Sequence, residues 1–140
     1  MTPSRREFLQ AAAQAAGALL SACSHAPATP APEPGTTVDV SSLSVDGDST
    51  VAPEKGPDGA PILVVRESAM QFHALSLSCT HEGCPVNPPV KGILTCPCHG
   101  SRFDLGGNVV RGPADFPLGR YETRYSPESH RLTVSFLAAK

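Results

Sequence analysis

Tryptophan is absent from this 140-residue chain, and aromatic residues make up only 5% of it. This scarcity argues against a nucleic-acid surface built on base stacking. An excess of one charge is missing too, because eleven Lys and Arg stand against thirteen Asp and Glu. The resulting net charge of −2 does not supply the broad basic field of a nucleic-acid-binding protein. We therefore expect no nucleic-acid partner.

Long runs that favour helices are also scarce. The chain contains fifteen Pro and twelve Gly, which interrupt helices and are typical of short strands joined by shaped loops. With 40% apolar and 17% charged residues, the composition is that of one modest globular domain, not of a disordered or multi-span membrane protein. This composition argues against an all-helical fold.

The N-terminal segment resembles a bacterial export signal. Residues 4–9 read Ser-Arg-Arg-Glu-Phe-Leu, which is similar to the twin-arginine signal, and an Ala-rich stretch too short for a permanent membrane helix follows to Leu20. Residues 19–23 resemble a lipobox that ends at Cys23. We predict a signal peptide over residues 1–22 and a lipidated Cys23 as the mature N-terminus. An ordinary cleaved signal and an uncleaved anchor are the alternatives.

Residues 23–37 form a Pro-rich segment that follows the predicted lipid anchor. Four prolines are spaced among Ala, Thr and Ser, a composition that favours extended polyproline II. At about 3.1 Å per residue, such a linker would hold a domain up to roughly 40 Å from the bilayer. This predicts a lipid-anchored membrane protein of the bacterial cell envelope, on its periplasmic face.

Residues 38–140 are predicted to form one all-β domain. Short alternating or β-branched runs are separated by turn signals such as Asp46-Gly47-Asp48 and Pro57-Asp58-Gly59. We expect an antiparallel sandwich of about eight to ten strands. The predicted strands include Val38 with Val40 and Val45, residues 62–65, 72–77, 92–96, 108–110, 120–125 and 130–137.

Four of the five cysteines lie within twenty residues, in two segments that also contain histidine. Residues 79–85 read Cys-Thr-His-Glu-Gly-Cys-Pro, and residues 96–101 read Cys-Pro-Cys-His-Gly-Ser. Each segment follows a predicted strand and offers thiolates and one imidazole, which are metal ligands. Structural zinc is one interpretation, although zinc sites usually pair Cys with Cys or His with His at short spacing.

The two segments together resemble the paired cluster-binding loops of the Rieske [2Fe-2S] family, in which two Cys bind one iron and two His bind the other. The resemblance covers essentially everything after the linker. It implies a Rieske-type antiparallel β-sandwich with a small cluster-binding subdomain over about residues 78–115, and one [2Fe-2S] cluster per subunit. By position, it implies that Cys79 and Cys96 bind the inner iron and that His81 and His99 bind the outer one.

Further positions are assigned by the same resemblance. Cys84 and Cys98 match a disulfide that joins the two loops in cytochrome bc-type members, which also fits an oxidising compartment. Ser101 matches a serine that donates a hydrogen bond to a bridging sulfide, and residues 112–114 (Gly-Pro-Ala) resemble the family's proline loop.

Two positions depart from the quinol-oxidising members. Phe103 stands where those members have a Tyr whose hydroxyl donates to a ligand sulfur, which predicts a lower reduction potential. Glu82 stands where they have an apolar Leu, and its charge would be costly to bury against an apolar quinol pocket. A role for Glu82 as a solvated loop residue is the alternative.

These observations predict a membrane-tethered periplasmic one-electron carrier or redox subunit with no substrate chemistry of its own. An iron–sulfur subunit of a quinol:cytochrome c complex or of an arsenite-oxidase-like molybdenum enzyme is the alternative, and a zinc-binding structural lipoprotein is a third. The expected partners are a redox donor and acceptor, such as cytochrome c, cytochrome b or a molybdenum subunit, and the lipid bilayer through Cys23.

Overall fold

A computed structural model describes residues 34–136, and the predicted signal peptide, Cys23 and most of the linker lie outside this range. Within it, the chain forms ten β-strands and no helix, so no helix there has the length and hydropathy to cross a membrane. The strands are β1 (Gly35–Asp39), β2 (Ser49–Lys55), β3 (Pro61–Ser68), β4 (Gln71–Ser76), β5 (Asn87–Val90), β6 (Ile93–Thr95), β7 (Arg102–Asp104), β8 (Val109–Arg111), β9 (Arg120–Ser126) and β10 (Arg131–Ser135).

Six strands form one antiparallel sheet in the order β1-β10-β9-β4-β3-β2. At its centre, β3 and β4 form a hairpin in which Leu63 pairs with Leu75 and Val65 pairs with His73. Both strands are rich in aliphatic residues that are buried on both faces, as expected of central strands covered on two sides. This hairpin is the scaffold on which the rest of the domain packs.

The other four strands form a small antiparallel sheet in the order β5-β6-β7-β8. A two-residue turn joins β5 to β6, with Lys91 at φ 51° and Gly92 at φ 77°. Two positive φ values in succession characterise the hairpin turns whose twist matches that of the flanking strands. Leu94 of β6 and Phe103 of β7 pair with each other and are fully buried.

Two hydrophobic cores lie on opposite faces of the β3–β4 hairpin. One core contains aliphatic residues of β1, β3, β4 and β10, among them Ile62, Val64 and Val134. The other joins the hairpin to the small sheet, and its buried members are Leu63, Val65, Leu75, Leu77, Cys79, Val86, Leu94, Cys96, Phe103, Ala114 and Leu118. Two cysteines of the predicted site are therefore part of this second core.

A polar contact also links the two sheets. His73 of β4 donates from Nε2 to the carbonyl oxygen of Leu105, in the β7–β8 loop, at 2.7 Å. The other ring nitrogen lies 2.7 Å from Glu67, which also pairs with Arg120. The β7–β8 loop is thereby fixed against the large sheet at the end of the small sheet away from the Cys/His loops.

The all-β antiparallel architecture is confirmed, with differences in detail. The structure adds β2, β5 and β7 to the predicted strands, whereas Val45 lies in a turn and is 65% exposed. Strand β1 begins at Gly35, three residues before the predicted start of the domain, and pairs with β10.

Candidate metal centre

Three loops meet at one end of the small sheet. Cross-strand pairing places Asn87, Thr95, Arg102 and Arg111 in one row across β5, β6, β7 and β8. Residues 79–85 lead into this row, residues 96–101 connect β6 to β7 there, and residues 112–117 leave it after β8. We call these segments the first cluster loop, the second cluster loop and the covering loop.

The two cluster loops share one backbone design. In the first, Gly83 donates to the Cys79 carbonyl at 2.7 Å, and the N–H of Cys79 donates to the Cys84 carbonyl at 2.8 Å. In the second, Gly100 donates to the Cys96 carbonyl at 3.1 Å, and the N–H of Cys96 donates to the Ser101 carbonyl at 2.8 Å.

The same offsets of four and five residues close both loops on their leading cysteine. Gly83 and Gly100 both adopt positive φ, at 76° and 78°, a conformation that glycine takes without steric cost. The repeated design gives Cys79 and Cys96 equivalent positions at the base of their loops.

The sulfur side of the site is buried. Cys79 and Cys96 are free thiols with exposed fractions of 3% and 1%, and both belong to the core that joins the two sheets. Burial raises the pKa of the Cys96 thiol, and the adjacent Cys79 raises it further, whereas N–H groups of Cys98 and His99 act in the opposite direction by donating to its sulfur. A cation bound between the two thiols would compensate these costs, because it stabilises both thiolates.

A disulfide joins the two cluster loops above the thiols. It connects Cys84 with Cys98, the pair implied by the resemblance. The Cys96 sulfur lies within 4.8 Å of both disulfide sulfurs, but these two are already bonded to each other and are not available as thiolate ligands. The disulfide thus leaves Cys79 and Cys96 as the free thiols of the described residues.

The imidazole side of the site faces solvent. The rings of His81 and His99 are both exposed, and their centroids are 4.9 Å apart with an interplanar angle of 83°. The carboxylate of Glu82 lies 3.7 Å from Nδ1 of His99. The two imidazoles that the sequence predicts as ligands are therefore at the surface, while the two predicted thiol ligands are in the core.

The covering loop is held against both cluster loops. The N–H of Ala114 donates to Oγ of the fully buried Ser101 at 3.0 Å, and Thr80 donates from Oγ1 to the Phe116 carbonyl at 2.5 Å. Sequence reasoning did not identify Thr80 or Phe116, because contacts across 36 residues leave no local pattern.

Residues 34–122 match the sequence profile of the Rieske [2Fe-2S] domain. The chain belongs to the Rieske family. It is therefore a Rieske iron–sulfur electron-transfer protein whose family cofactor is a [2Fe-2S] cluster, and the zinc interpretation is not retained.

A solved structure and two curated proteins that are similar to this chain agree with this assignment. A cyanobacterial plasma membrane Rieske protein, PetC3 from Synechocystis PCC 6803, is 32% identical, and the match covers 74% of this chain and 97% of that one with a TM-score of 0.55. The cytochrome b6-f complex iron-sulfur subunit 2 of Trichormus variabilis is 42% identical over 60% of this chain and 49% of its own length. The carotenoid phi-ring synthase of Chlorobaculum tepidum is 46% identical over 50% of this chain.

The curated relatives are longer proteins. The match to the carotenoid phi-ring synthase spans 11% of that enzyme, and the cytochrome b6-f subunits are matched over at most about half of their length. What this Rieske chain shares with all of them is the cluster-binding domain and not a whole enzyme.

The donor set fits the family's cofactor. Rieske clusters require two thiolates and two imidazoles, and the two cluster loops bring Cys79, Cys96, His81 and His99 to one end of one small sheet. The thiols lie on the buried side and the imidazoles on the exposed side, which suits a cluster bound between core and surface.

Proposed function

We propose that Cys79 and Cys96 ligate the buried iron of a [2Fe-2S] cluster and that His81 and His99 ligate the exposed one. The observation that carries this proposal is the division of the donors: on two loops of matching design, the two thiols are at most 3% exposed and the two imidazoles are exposed. When bound, the cluster supplies reversible one-electron chemistry at potentials of roughly −150 to +300 mV.

The chain's own residues set the route and the environment of that electron. The imidazoles are the exposed edge through which a partner is reached, while the hydrophobic core on the sulfur side excludes water. Because the Ser101 hydroxyl already accepts from Ala114, its own proton remains available for a further acceptor in the loop. Ser101 is thus supported in the sulfide-donor role that the family resemblance implies.

Phe103 is proposed to lower the potential relative to members that carry Tyr at this position. Its ring is fully buried in the same core as Cys79 and Cys96 and offers no donor to a sulfur. A Phe103→Tyr substitution should add one hydrogen bond worth about 1 kcal/mol. For a one-electron couple, 59 mV corresponds to a tenfold change in the equilibrium constant, so the midpoint potential should rise by roughly 40 mV. A redox titration that shows no upward shift would refute this role.

We further propose that the protein is exported by the twin-arginine route, anchored by lipid on Cys23 and held by the linker of residues 23–37 at the periplasmic face of a bacterial membrane. The paired arginines and the lipobox-like residues support this proposal, and the disulfide is compatible with an oxidising compartment. Mass spectrometry of the membrane-extracted protein should find a diacylglyceryl group at Cys23. A protein that still begins at Met1 would contradict the proposed cleavage and lipidation.

The proposed partners are redox proteins, either a cytochrome b or c or a molybdenum subunit, and the free-carrier form is favoured over docking in a quinol pocket. Glu82 supports this preference because its side chain is 60% exposed beside His99, where an apolar pocket would have to desolvate it. Co-purification of a cytochrome b would instead favour a subunit of a quinol-oxidising complex.

The deciding experiment is a redox titration of the full chain monitored by EPR, after expression in a bacterium with cluster assembly and export intact. A rhombic signal averaging near g of about 1.9 is expected from a cluster with mixed Cys and His ligands. A His81→Ala variant that retained this spectrum would overturn the ligand assignment, and purified protein with zinc in place of iron would overturn the proposed function.

A further inference from the structure

The exposed surface around the two imidazoles has a distinct composition. It is formed by the two cluster loops and the covering loop, residues 79–85, 96–101 and 112–117, and we call it the tip surface. These three segments contain the acidic residues Glu82 and Asp115, and no Lys or Arg. Both carboxylates belong to exposed residues, so the tip surface carries negative charge next to His81 and His99.

Neither acidic residue is neutralised by a neighbouring cation. Among residues 34–136, the only basic group within 4.0 Å of Glu82 is the His99 ring at 3.7 Å, and Asp115 has no ion pair. The other acidic residue of the small sheet, Asp104, lies at the opposite end and accepts hydrogen bonds from Asn108. Glu82 and Asp115 are therefore available to a cation approaching the imidazoles.

An apolar side chain lies beside these charges. Phe116 is 70% exposed, although its backbone is fixed to the first cluster loop through Thr80. Asp115 stands between Phe116 and Ala114, which is fixed to the second cluster loop through Ser101. Because the backbone is anchored, a partner that covers the ring has to order the side chain only, not the loop that carries it.

The basic residues of the small sheet lie outside the tip-surface loops: Arg102 and Arg111 pair in the row at the base of these loops, and Lys91 lies in the β5–β6 turn at the opposite end. Lys91 and Arg102 line a shallow groove along β5, β6 and β7, with Val90 and Ile93 between them, and Arg111 is on β8. Charge in this part of the molecule is thus divided between acidic loops at the tip surface and basic strands. Such a division orients an approaching charged protein before contact.

We infer that the tip surface selects a cationic redox partner with an apolar or aromatic edge, and that Glu82, Asp115 and Phe116 determine this specificity. The inference rests on the proposed electron-transfer function and adds the chemical class of the partner. Carboxylates at the rim raise the association rate of a cation and lower that of an anion, and both effects weaken with salt. The Phe116 ring supplies an apolar contact for the apolar or aromatic edge of the partner, and a partner that carries charge alone would not make this contact.

Two small oxidants of opposite charge test this selectivity. The reduced full-length protein is mixed in a stopped-flow instrument with tris(phenanthroline)cobalt(III), a cation with aromatic edges, or with ferricyanide, an anion. In each reaction the reduced cluster loses one electron, and the oxidant becomes the cobalt(II) complex or ferrocyanide. The second-order rate constant is measured from low to high ionic strength.

The rate with the cobalt complex should fall as salt is added, and the rate with ferricyanide should rise. A Glu82→Gln, Asp115→Asn variant should lower the cobalt rate at low salt by at least about threefold and raise the ferricyanide rate. Phe116→Ser should lower the cobalt rate and leave the ferricyanide rate unchanged. Glu54→Gln, which removes an exposed carboxylate from β2 of the large sheet, is the matched control and should change neither rate by as much as twofold.

Rate changes of opposite sign with the cobalt complex and ferricyanide distinguish an effect on docking from an effect on the driving force for electron transfer. Removing Glu82 also alters the midpoint potential, but a higher potential would slow both oxidants, so parallel changes would overturn the inference. Equal salt dependence for cation and anion would overturn it as well.

A second readout does not depend on electron transfer. Hexaamminechromium(III), a redox-inert paramagnetic cation, should broaden the NMR resonances of the Asp115 amide and the Phe116 ring more than those around Glu54. The broadening should be lost in the double variant. If the rhombic EPR signal is present but the chromium complex spares the tip surface, the partner inference fails while the proposed function stands; if that signal is absent, the proposed function fails by itself.

Discussion

The two sheets of the domain are built in different ways. Strands of the large sheet are five to eight residues long, and its core away from the small sheet is dominated by Ile, Val, Leu and Ala. Strands of the small sheet have only three or four residues, and the core beneath them includes two free thiols and is crossed by a disulfide at its edge.

This difference shows what holds the candidate site in place. Strands of three residues form few ladder hydrogen bonds, and a small sheet needs packing against other elements for stability. The large sheet supplies that packing through β3 and β4, the disulfide adds a covalent link between the two cluster loops, and the proposed cluster would add coordinate bonds when bound. We infer that the large sheet folds by burial of apolar surface, whereas the cluster loops depend on their backbone hydrogen bonds, on the disulfide and on the proposed cluster.

The strongest test removes one ligand from the small sheet. In Cys96→Ser, the cluster should be lost completely, because one coordinate bond and a buried thiolate disappear together. Hydrogen exchange should then increase in β5 to β8 and remain slow in β3, β4 and β9. His130→Asn is a suitable control, since His130 lies in the β9–β10 turn at φ 50°, a conformation that Asn tolerates. Equal loss of protection in both sheets would show that they do not differ in this way.

A matched pair of core deletions compares the two faces of the hairpin. Leu75 lies in the core shared with the small sheet and Leu132 in the other core, and both are at most 1% exposed. Either Leu→Ala substitution should cost about 3 kcal/mol of unfolding free energy. Only Leu75→Ala should also broaden the EPR lines of the cluster. Denaturant titrations would show whether the two variants lose similar amounts of unfolding free energy. If Leu132→Ala perturbed the EPR spectrum as strongly as Leu75→Ala, the expected difference between the two cores would be wrong.

Loss of the disulfide should have a smaller effect. Cys84 and Cys98 are 14 residues apart, and a cross-link over a loop of this length stabilises by about 3 kcal/mol or less. Replacing both by Ser should leave the four proposed ligands in place, so the protein should still bind the cluster. The expected result is a retained EPR signal with faster cluster loss on mild heating. A variant unable to assemble any cluster would show that the disulfide defines the site instead of tightening it.

The two sheets also differ in how much of each could be predicted from the sequence. The apolar runs of β3 and β4 and the Cys/His loops are local patterns, so both could be predicted directly. Strand β5 was missed because Pro88 and Pro89 suggest a break, yet β5 is an edge strand that pairs at Asn87 and Val90 on either side of them. Strand β7 is too short to show alternation.

The contacts of the covering loop could not be predicted for another reason. Ser101 bonds to Ala114 and Thr80 bonds to Phe116 across the fold, and nothing in the intervening residues specifies these partners. The motif therefore predicts the cluster ligands, but not the residues that hold the loops together or the aromatic side chain beside them.

The smallest expected effect concerns the joint between the sheets. Burial alone would raise the pKa of Asp104, but hydrogen bonds from Asn108 and the Gly106 N–H bring it below its ordinary value of 3.8. A lowered pKa in the folded state means that this stabilisation is complete above pH 3.8 and is lost as the pH falls through the folded-state value. Asp104→Asn should therefore cost less than about 1 kcal/mol at pH 7, given solvent screening of a partly exposed group.

That loss should shrink as the pH is lowered below 4, since the native protein then loses the same interaction. Denaturant unfolding of both proteins between pH 7 and pH 3 measures it, and a difference that grows in acid would contradict the assigned sign. Because Asp104 shapes the loop whose Leu105 carbonyl accepts from His73, the substitution should also speed exchange of the Leu105 to Asn108 amides. The small sheet would then be shown to depend on the large one at this loop as well as through the shared core.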